Sequence, residues 1–169
     1  DSSILFRYLD GFFLYGFILS WSEKDLFSWF DPRLRNTSKR DYSWLTKVWK
    51  RVLVSTGNKR NIAKLFSISA NIPAFTSHFK DAKLLYMLRE PMDVLPSGLS
   101  LVTGVLDKRF NFWSLPKEKR QFYIDRLYNA LVELQIRFHD DWVNGRINKE
   151  KVMIVKYDKM MSNFEDLMS

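Results

Sequence analysis

Apolar residues recur with helical spacing in two long stretches of the chain. The second stretch runs from Ile124 to Trp142, and the first contains Leu45, Val48, Trp49, Val52 and Leu53. Apolar side chains spaced three or four residues apart fall on one face of a helix, so both stretches predict amphipathic helices. Gly57 closes the first helix, whereas the second extends from about Pro116 to Asn144 and stops at Gly145.

Two short runs, Lys83–Leu88 and Lys151–Lys156, are continuously apolar between their charged ends. Such runs are typical of strands that are covered on both faces, as in parallel sheets. A third, shorter strand is predicted over Ile62–Leu65. Because helices alternate with these strands, the pattern predicts the α/β fold class, with a parallel sheet flanked by helices.

Four further segments have the end signals of helices. Ser22 is an N-cap candidate for a short helix that ends at Phe30, before Asp31 and Pro32. A second helix is predicted over Ser69–Phe79. A third begins at Pro91 and runs to about Leu106, with Pro96 bending its second turn. A polar start predicts the last helix over Asp158–Met168.

The chain starts with an apolar, aromatic-rich run, Ile4–Trp21. Only Gly11–Leu19 is uninterrupted, which is shorter than the ~20 residues that span a bilayer. We interpret the run as a buried or interface helix rather than a membrane-seated one. Residues 1–40, including an exposed basic loop at Arg33–Arg40, then form a helical entry segment, and residues 41–169 form the α/β portion of a single domain.

Composition restricts the chemistry. The 169 residues include 27 Lys and Arg against 19 Asp and Glu, which gives a formal charge of +8. This charge favours anionic ligands but does not distinguish nucleic acid, lipid headgroups and small phosphorylated ligands. The chain has no cysteine, which excludes disulfides, thiolate zinc sites and cysteine nucleophiles and favours a reducing compartment. With two histidines, no metal site is expected.

The most informative stretch is the end of the first long apolar run. Arg89 follows the predicted strand directly, Pro91 starts a helix, and Ser97 lies in that helix. Ligands bind at the carboxyl edge of parallel sheets, and a guanidinium with a nearby hydroxyl suits a phosphate. The alternative is that Arg89 pairs with Glu90 or Asp93 and that Ser97 only packs.

Other candidates have simpler explanations. His78 is interpreted as a surface or hydrogen-bonded residue. Neighbouring positions from His139 to Asp141 point to different helix faces, so they make a poor metal cluster, and Asp141 is predicted to pair with Arg137 at i, i+4. The basic run Lys117–Arg120 is interpreted as a solvated first turn. Aromatic residues among the lysines of the first long helix are assigned to the core, so nucleic acid is not an expected partner.

The stretch from Phe79 through Arg89-Glu-Pro to Ser97 resembles the 3′-phosphate-binding strand and helix of the PAPS-dependent sulfotransferases. Lys80 stands where that family commonly has proline, and Glu90 where it has aspartate. Two more segments resemble the family. They are Ala63-Lys64-Leu65, similar to its strand-end lysine, and Val152–Asn163, similar to its later strand and helix start. The resemblance covers about Arg51 to Met168.

The resemblance implies a P-loop-like α/β fold that binds 3′-phosphoadenosine 5′-phosphosulfate (PAPS) and its product adenosine 3′,5′-bisphosphate (PAP). The activity it implies is transfer of a sulfuryl group to a hydroxyl or amine acceptor, without a metal. Arg89 and Ser97 would hold the 3′-phosphate and face one cleft, and Lys64 would contribute to cosubstrate binding.

One family feature is missing from the sequence, which contains no Gly-x-x-x-x-Gly-Lys-Ser/Thr or similar phosphate loop. The catalytic base is also unassigned. Either the chain is the later part of a longer enzyme, whose missing strands cover Ile4–Trp21, or it is a non-catalytic sulfotransferase-like subunit that docks in a larger assembly. We therefore expect the 169 residues alone to be inactive. The acceptor is open, as is the location: cytoplasm, membrane surface or Golgi lumen.

Overall fold

The computed structural model describes residues 2–163 and 165, which are mostly helical and include a small two-stranded parallel sheet. The strands are β1 (Leu84–Leu88) and β2 (Val152–Lys156). The α-helices are α1 (Ser2–Tyr8), α2 (Phe12–Phe17), α3 (Ser38–Thr56), α4 (Ile72–His78), α5 (Pro91–Phe110), α6 (Lys117–Val143) and α7 (Tyr157–Ser162). Short 3₁₀ turns connect several of them.

The sheet confirms the prediction of two parallel strands. Leu84 pairs with Val152, and the register continues to Leu88 and Lys156. Parallel strands need a long crossover, which α5 and α6 supply here. The third predicted strand is wrong, because residues 61–65 have no regular structure and Ile62 is 99% exposed. Of that segment, Leu65 alone packs partly against the core.

Only one face of the sheet is well covered. Tyr86 stacks on Phe138 of α6, with ring centroids 3.5 Å apart. On the opposite face Val155 is buried, but Leu85, Met87 and Met153 are exposed. The expectation that both faces are covered is therefore wrong for the part of the chain that the structure describes.

Helices α5 and α6 form the main core. Their buried residues include Leu95, Val102, Leu106, Leu127, Leu131 and Leu134. Gly98 permits the close approach, because a Cβ atom there would lie 2.9 Å from Cδ1 of Leu131. The helices at 38–56 and 117–143 confirm the two long helices predicted from the apolar spacing. Each is followed by a glycine in the left-handed conformation, Gly57 with φ 67° and Gly145 with φ 68°.

The N-terminal apolar run is not one helix. Leu9 (φ 48°) and Gly11 (φ 94°) separate α1 from α2. The cause is Asp10, whose buried carboxylate accepts hydrogen bonds from the Gly11 backbone and from the side chains of Arg35 and Arg40. Burial raises the pKa of Asp10, but the two arginines outweigh burial and hold the pKa below its ordinary value.

The exposed loop predicted at Arg33–Arg40 is found only in part: Arg33, Leu34, Asn36 and Lys39 are exposed, but Arg35 and Arg40 are half-buried. Arg35 and Arg40 reach back to Asp10 at 2.7 Å, and α3 already begins at Ser38. In the same N-terminal region, Phe12 and Tyr15 are buried in the main core and Trp21 stacks on Tyr123. None of the described helices is both long and apolar enough to cross a membrane.

The predicted helix from Ser22 to Phe30 is also wrong. The structure has one 3₁₀ turn there instead, Phe27–Trp29, and another, Leu19–Trp21, directly before the segment. Asp25 sets this conformation, because its Oδ1 accepts hydrogen bonds from the Phe27 backbone N–H at 2.9 Å and the Tyr15 hydroxyl at 3.0 Å.

Three other predicted helices are found with different bounds. The segment 69–79 divides at Asn71 into a 3₁₀ turn, Ser67–Ala70, and α4. Helix α5 runs one turn past Leu106, with Pro96 inside it. Helix α7 begins at Tyr157, and the end predicted at Met168 lies outside the described residues.

A buried ion pair replaces the predicted pairing of Arg137 with Asp141. Arg137 faces the core, where its guanidinium donates two hydrogen bonds to Asp31, with Nη2 2.6 Å from Oδ2. Asp141 instead accepts from Nε of Arg146 at 2.6 Å. The i, i+4 spacing could not reveal this, because Asp31 comes from a distant part of the chain.

Candidate anion site at the carboxyl edge of the sheet

Arg89 and Tyr157 lie side by side at the carboxyl edge of the sheet. Leu88 and Lys156 are the last register pair of the two strands, and Arg89 and Tyr157 are the next residues of each. The Arg89 guanidinium carbon is 4.8 Å from the centroid of the Tyr157 ring. At that distance the ring attracts the cation and restricts its position.

The ion pair of Arg89 with Asp93 is present, as one of the sequence alternatives predicted. Nε lies 3.5 Å from Oδ2, and the two side chains are 39% and 51% exposed. Exposed pairs of this kind contribute about 0–1 kcal/mol. Nε makes the contact given for this pair, and within residues 2–163 and 165 the two Nη groups form no hydrogen bond. They remain available to an anion.

Ser97 lies on α5 one helical turn after Asp93. Its side chain is exposed, and its hydroxyl has no hydrogen-bond partner among the described residues. Gly98, the next residue, faces Leu131 and leaves Ser97 on the solvent side. Ser97 is therefore not a core-packing residue. Asp93 and Ser97 share one helix face, which begins where Arg89 leaves the strand.

Lys64 stands apart from these residues. It lies in the irregular segment 61–65, is exposed, and forms no hydrogen bond or ion pair with any residue that the structure describes. Since this segment is not a strand, Lys64 does not occupy a strand end. The structure thus brings Arg89 and Ser97 to the start of one helix but does not join Lys64 to them.

Tyr157 is the site residue that sequence reasoning missed. The sequence places it only within the Val152–Asn163 stretch that resembles the family, between the predicted strand and the helix predicted from Asp158, whereas in the structure it begins α7. The signal that could have revealed it is its position in the chain. If the two apolar runs pair in parallel, the residue that directly follows each run lies at the same edge of the sheet. Arg89 and Tyr157 hold those two equivalent positions.

Two clefts lie elsewhere and are lined by other residues. One is a cavity of about 80 Å³ with aromatic walls that include Phe12, Trp29 and Tyr42. The other is an open polar cleft of about 490 Å³ beside Arg33 and Arg146. Both of these arginines already pair with aspartates, so neither offers an unpaired positive charge to an anion in the polar cleft.

The histidines take no part in the site. His78 is exposed, with Nε2 3.4 Å from the Thr46 hydroxyl and its ring against Phe79. His139 is exposed on α6 near Asp140. Within the described part of the chain, no three His, Cys, Asp or Glu side chains are grouped so that they could hold a metal ion.

No family model, curated protein or solved structure matches this chain. The function of the edge site is therefore judged on its own chemistry. Three features bear on it: a guanidinium with free Nη groups, a free hydroxyl on the helix that follows, and an aromatic ring beside the guanidinium. Together they are suited to an anion with an adjoining planar or apolar part.

Proposed function

We propose that this chain carries the 3′-phosphate-binding part of a PAPS-dependent sulfotransferase. The observation that carries the proposal is the placement of Arg89 directly after β1, beside Tyr157, with a free guanidinium end. Ligands of α/β proteins bind at this edge of the sheet. The resemblance of the Arg89-Glu-Pro to Ser97 stretch to the family supplies the identity of the anion.

The proposal extends to a P-loop-like fold. Support comes from the parallel register of β1 and β2 and from the helical crossover between them. Each strand also has one edge that pairs with no other strand in the described residues. In the proposed fold these edges pair with further strands. Helices packed on the open face would cover the exposed side chains of Leu85, Met87 and Met153.

Phosphate binding at Arg89 exchanges a weak interaction for a stronger one. Asp93 holds the guanidinium through one exposed contact at 3.5 Å. A phosphate offers several charged acceptors to the same fork, and charge-assisted hydrogen bonds are about twice as strong as neutral ones. Ser97 adds a hydroxyl donor with no competing partner among the described residues. Arg89 and Ser97 thus fit the 3′-phosphate, whereas a part for Lys64 in cosubstrate binding rests on the sequence resemblance alone.

In sulfuryl transfer, an acceptor oxygen or nitrogen attacks the sulfur of PAPS. The bond from sulfur to the 5′-phosphate oxygen breaks, PAP leaves with the electron pair, and a base takes the acceptor proton. Arg89 and Ser97 bind the remote 3′-phosphate and do not touch these atoms. Their role is affinity and orientation, and no residue of this chain is assigned as the base.

Calorimetric titration with PAP and with adenosine 5′-monophosphate tests the proposal. The two ligands differ in the 3′-phosphate, so we expect PAP to bind more tightly. Arg89→Ala should remove this preference for PAP. Arg51→Ala is its matched control and should keep the preference, because Arg51 is exposed on α3 and has no ion pair among the described residues. Equal affinity for the two nucleotides would overturn the assignment.

The exposed sheet face favours a second candidate, a non-catalytic subunit that docks in a larger assembly. Leu85, Met87 and Met153 form an apolar surface on strands whose other face is packed. A docking subunit needs such a surface but has no need to discriminate between nucleotides. Absence of PAP binding, together with self-association that Leu85→Ser abolishes in light scattering, would favour this candidate.

A further inference from the structure

Helices α5 and α6 meet at a corner that exposes aromatic and basic side chains together. Phe110 ends α5 and is 73% exposed, and Trp113 in the connecting 3₁₀ turn is 52% exposed. Five cations lie between positions 107 and 120, against two carboxylates. We name this surface the basic corner, and it comprises Lys108, Arg109, Phe110, Trp113, Lys117, Lys119 and Arg120.

The corner is held in a defined conformation. Phe112 is fully buried and packs against Trp21 and Tyr123. Asp107 accepts a hydrogen bond from the Trp113 backbone N–H at 3.2 Å, and Asn111 adopts a left-handed conformation with φ 52°. The backbone therefore anchors Phe112 in the core and directs Phe110 and Trp113, which lie on either side of it in the sequence, outward.

Only part of the corner's charge serves the fold, since Lys108 and Arg109 lie in the last turn of α5, where cations complement the helix dipole. Lys117 and Lys119 occupy the first turn of α6, where positive charge opposes the helix dipole. None of the five cations forms an ion pair with a described residue. Arg120 is half-buried, with its guanidinium carbon 5.7 Å from the centroid of the Trp113 ring. Uncompensated cations around exposed aromatic rings instead suit an external anionic surface.

We propose that the basic corner binds an anionic lipid surface. Tryptophan and phenylalanine side chains favour the boundary between lipid headgroups and acyl chains, and flanking lysines and arginines attract anionic headgroups. Phe110 and Trp113 are the inserted groups, and the exposed cations Lys108, Arg109, Lys117 and Lys119 contact the headgroups. The surface lies outside the PAPS-binding residues, so the proposal stands or falls separately from the proposed function.

Sedimentation with lipid vesicles tests this surface. We expect binding to vesicles of phosphatidylcholine with phosphatidylserine and much weaker binding to phosphatidylcholine alone. The double variant Lys117→Gln, Lys119→Gln should weaken binding by about 25-fold, at about fivefold per charge. Lys47→Gln, Lys50→Gln removes the same charge from an exposed face of α3 and should have a much smaller effect.

The aromatic contribution needs its own pair of variants. Phe110→Ser should weaken vesicle binding, whereas Phe6→Ser, at another exposed phenylalanine, should not. Circular dichroism of each variant establishes that the fold is intact. Equal losses for the corner and control variants would overturn the proposal, as would failure of the wild-type chain to bind the anionic vesicles. Displacement of the vesicles by single-stranded DNA would reassign the corner to nucleic acid.

Discussion

The guanidinium of Arg89 lies 4.8 Å from the ring centroid of Tyr157 because the two residues follow the last register pair of parallel strands. The ring attracts the cation and keeps it at the edge of the sheet. Tyr157→Ala should therefore weaken PAP binding, at about 0.5–1 kcal/mol for an exposed cation–π contact, whereas Tyr157→Phe keeps the ring and should bind nearly as well. Calorimetry distinguishes the two, and equal losses would mean that the hydroxyl, not the ring, matters.

A second prediction concerns Asp93. Its carboxylate pairs with Arg89 Nε and would repel a bound phosphate. Asp93→Asn should strengthen PAP binding a few-fold, because an exposed ion pair contributes at most about 1 kcal/mol. Asp158→Asn, at an exposed carboxylate in the first turn of α7, is a control. Weaker binding by Asp93→Asn would show that the aspartate orients Arg89 rather than competing for it.

The buried pair of Asp31 and Arg137 predicts a large effect on stability. Their side chains are 9% and 5% exposed, and they connect α6 to the N-terminal segment. Asp31→Ala leaves the guanidinium buried without its main partner, which costs about 3–5 kcal/mol. Chemical denaturation measures the loss. Asp140→Ala removes a half-exposed carboxylate nearby and should change the free energy of unfolding by less than about 1 kcal/mol.

The same pair predicts how stability depends on pH. Burial raises the pKa of Asp31, but the hydrogen bonds from Arg137 outweigh burial and hold the pKa below 3.8, its ordinary value. The stabilisation is therefore complete above the ordinary value and is lost as pH falls from there through the folded-state pKa. Denaturation at a series of acidic pH values should show a steeper loss for the wild type than for Asp31→Asn. Parallel curves would contradict this.

The sequence predicts the elements that have a clear pattern within their own residues. The long helices at 38–56 and 117–143 follow from spacing and a terminal glycine, and both strands follow from uninterrupted apolar runs. The break at Leu9 to Gly11 could not be predicted in this way. It depends on Asp10 meeting Arg35 and Arg40, which are 25 and 30 residues away in the chain.

The same distinction between nearby and distant residues applies to the candidate site. Arg89 and Ser97 are near each other in sequence, so a strand end and a helix start were enough to identify them. The contact between Arg89 and Tyr157 requires the register of two strands 68 positions apart, which no local pattern contains. Lys64 was assigned to a strand end, but residues 61–65 pair with neither strand.

A fifth prediction is that the 169-residue chain binds PAP but transfers no sulfate. Transfer requires donors at the breaking bond and a base, and the residues we assign reach only the 3′-phosphate. Incubation with radiolabelled PAPS and a panel of alcohols and amines checks this, with a known sulfotransferase as positive control. Turnover by the purified chain would show that a phosphosulfate site exists among residues that we have not assigned.

The central claim is that Arg89 binds the 3′-phosphate of the nucleotide. The most direct measurement is a thermodynamic cycle in which PAP and adenosine 5′-monophosphate are each titrated into the wild type and Arg89→Ala. Loss of a hydrogen bond to a charged group costs about 1.5–3 kcal/mol, so PAP affinity should fall by about 10- to 150-fold. The affinity for adenosine 5′-monophosphate should not change. An equal loss for both nucleotides, or no loss for PAP, would contradict the claim.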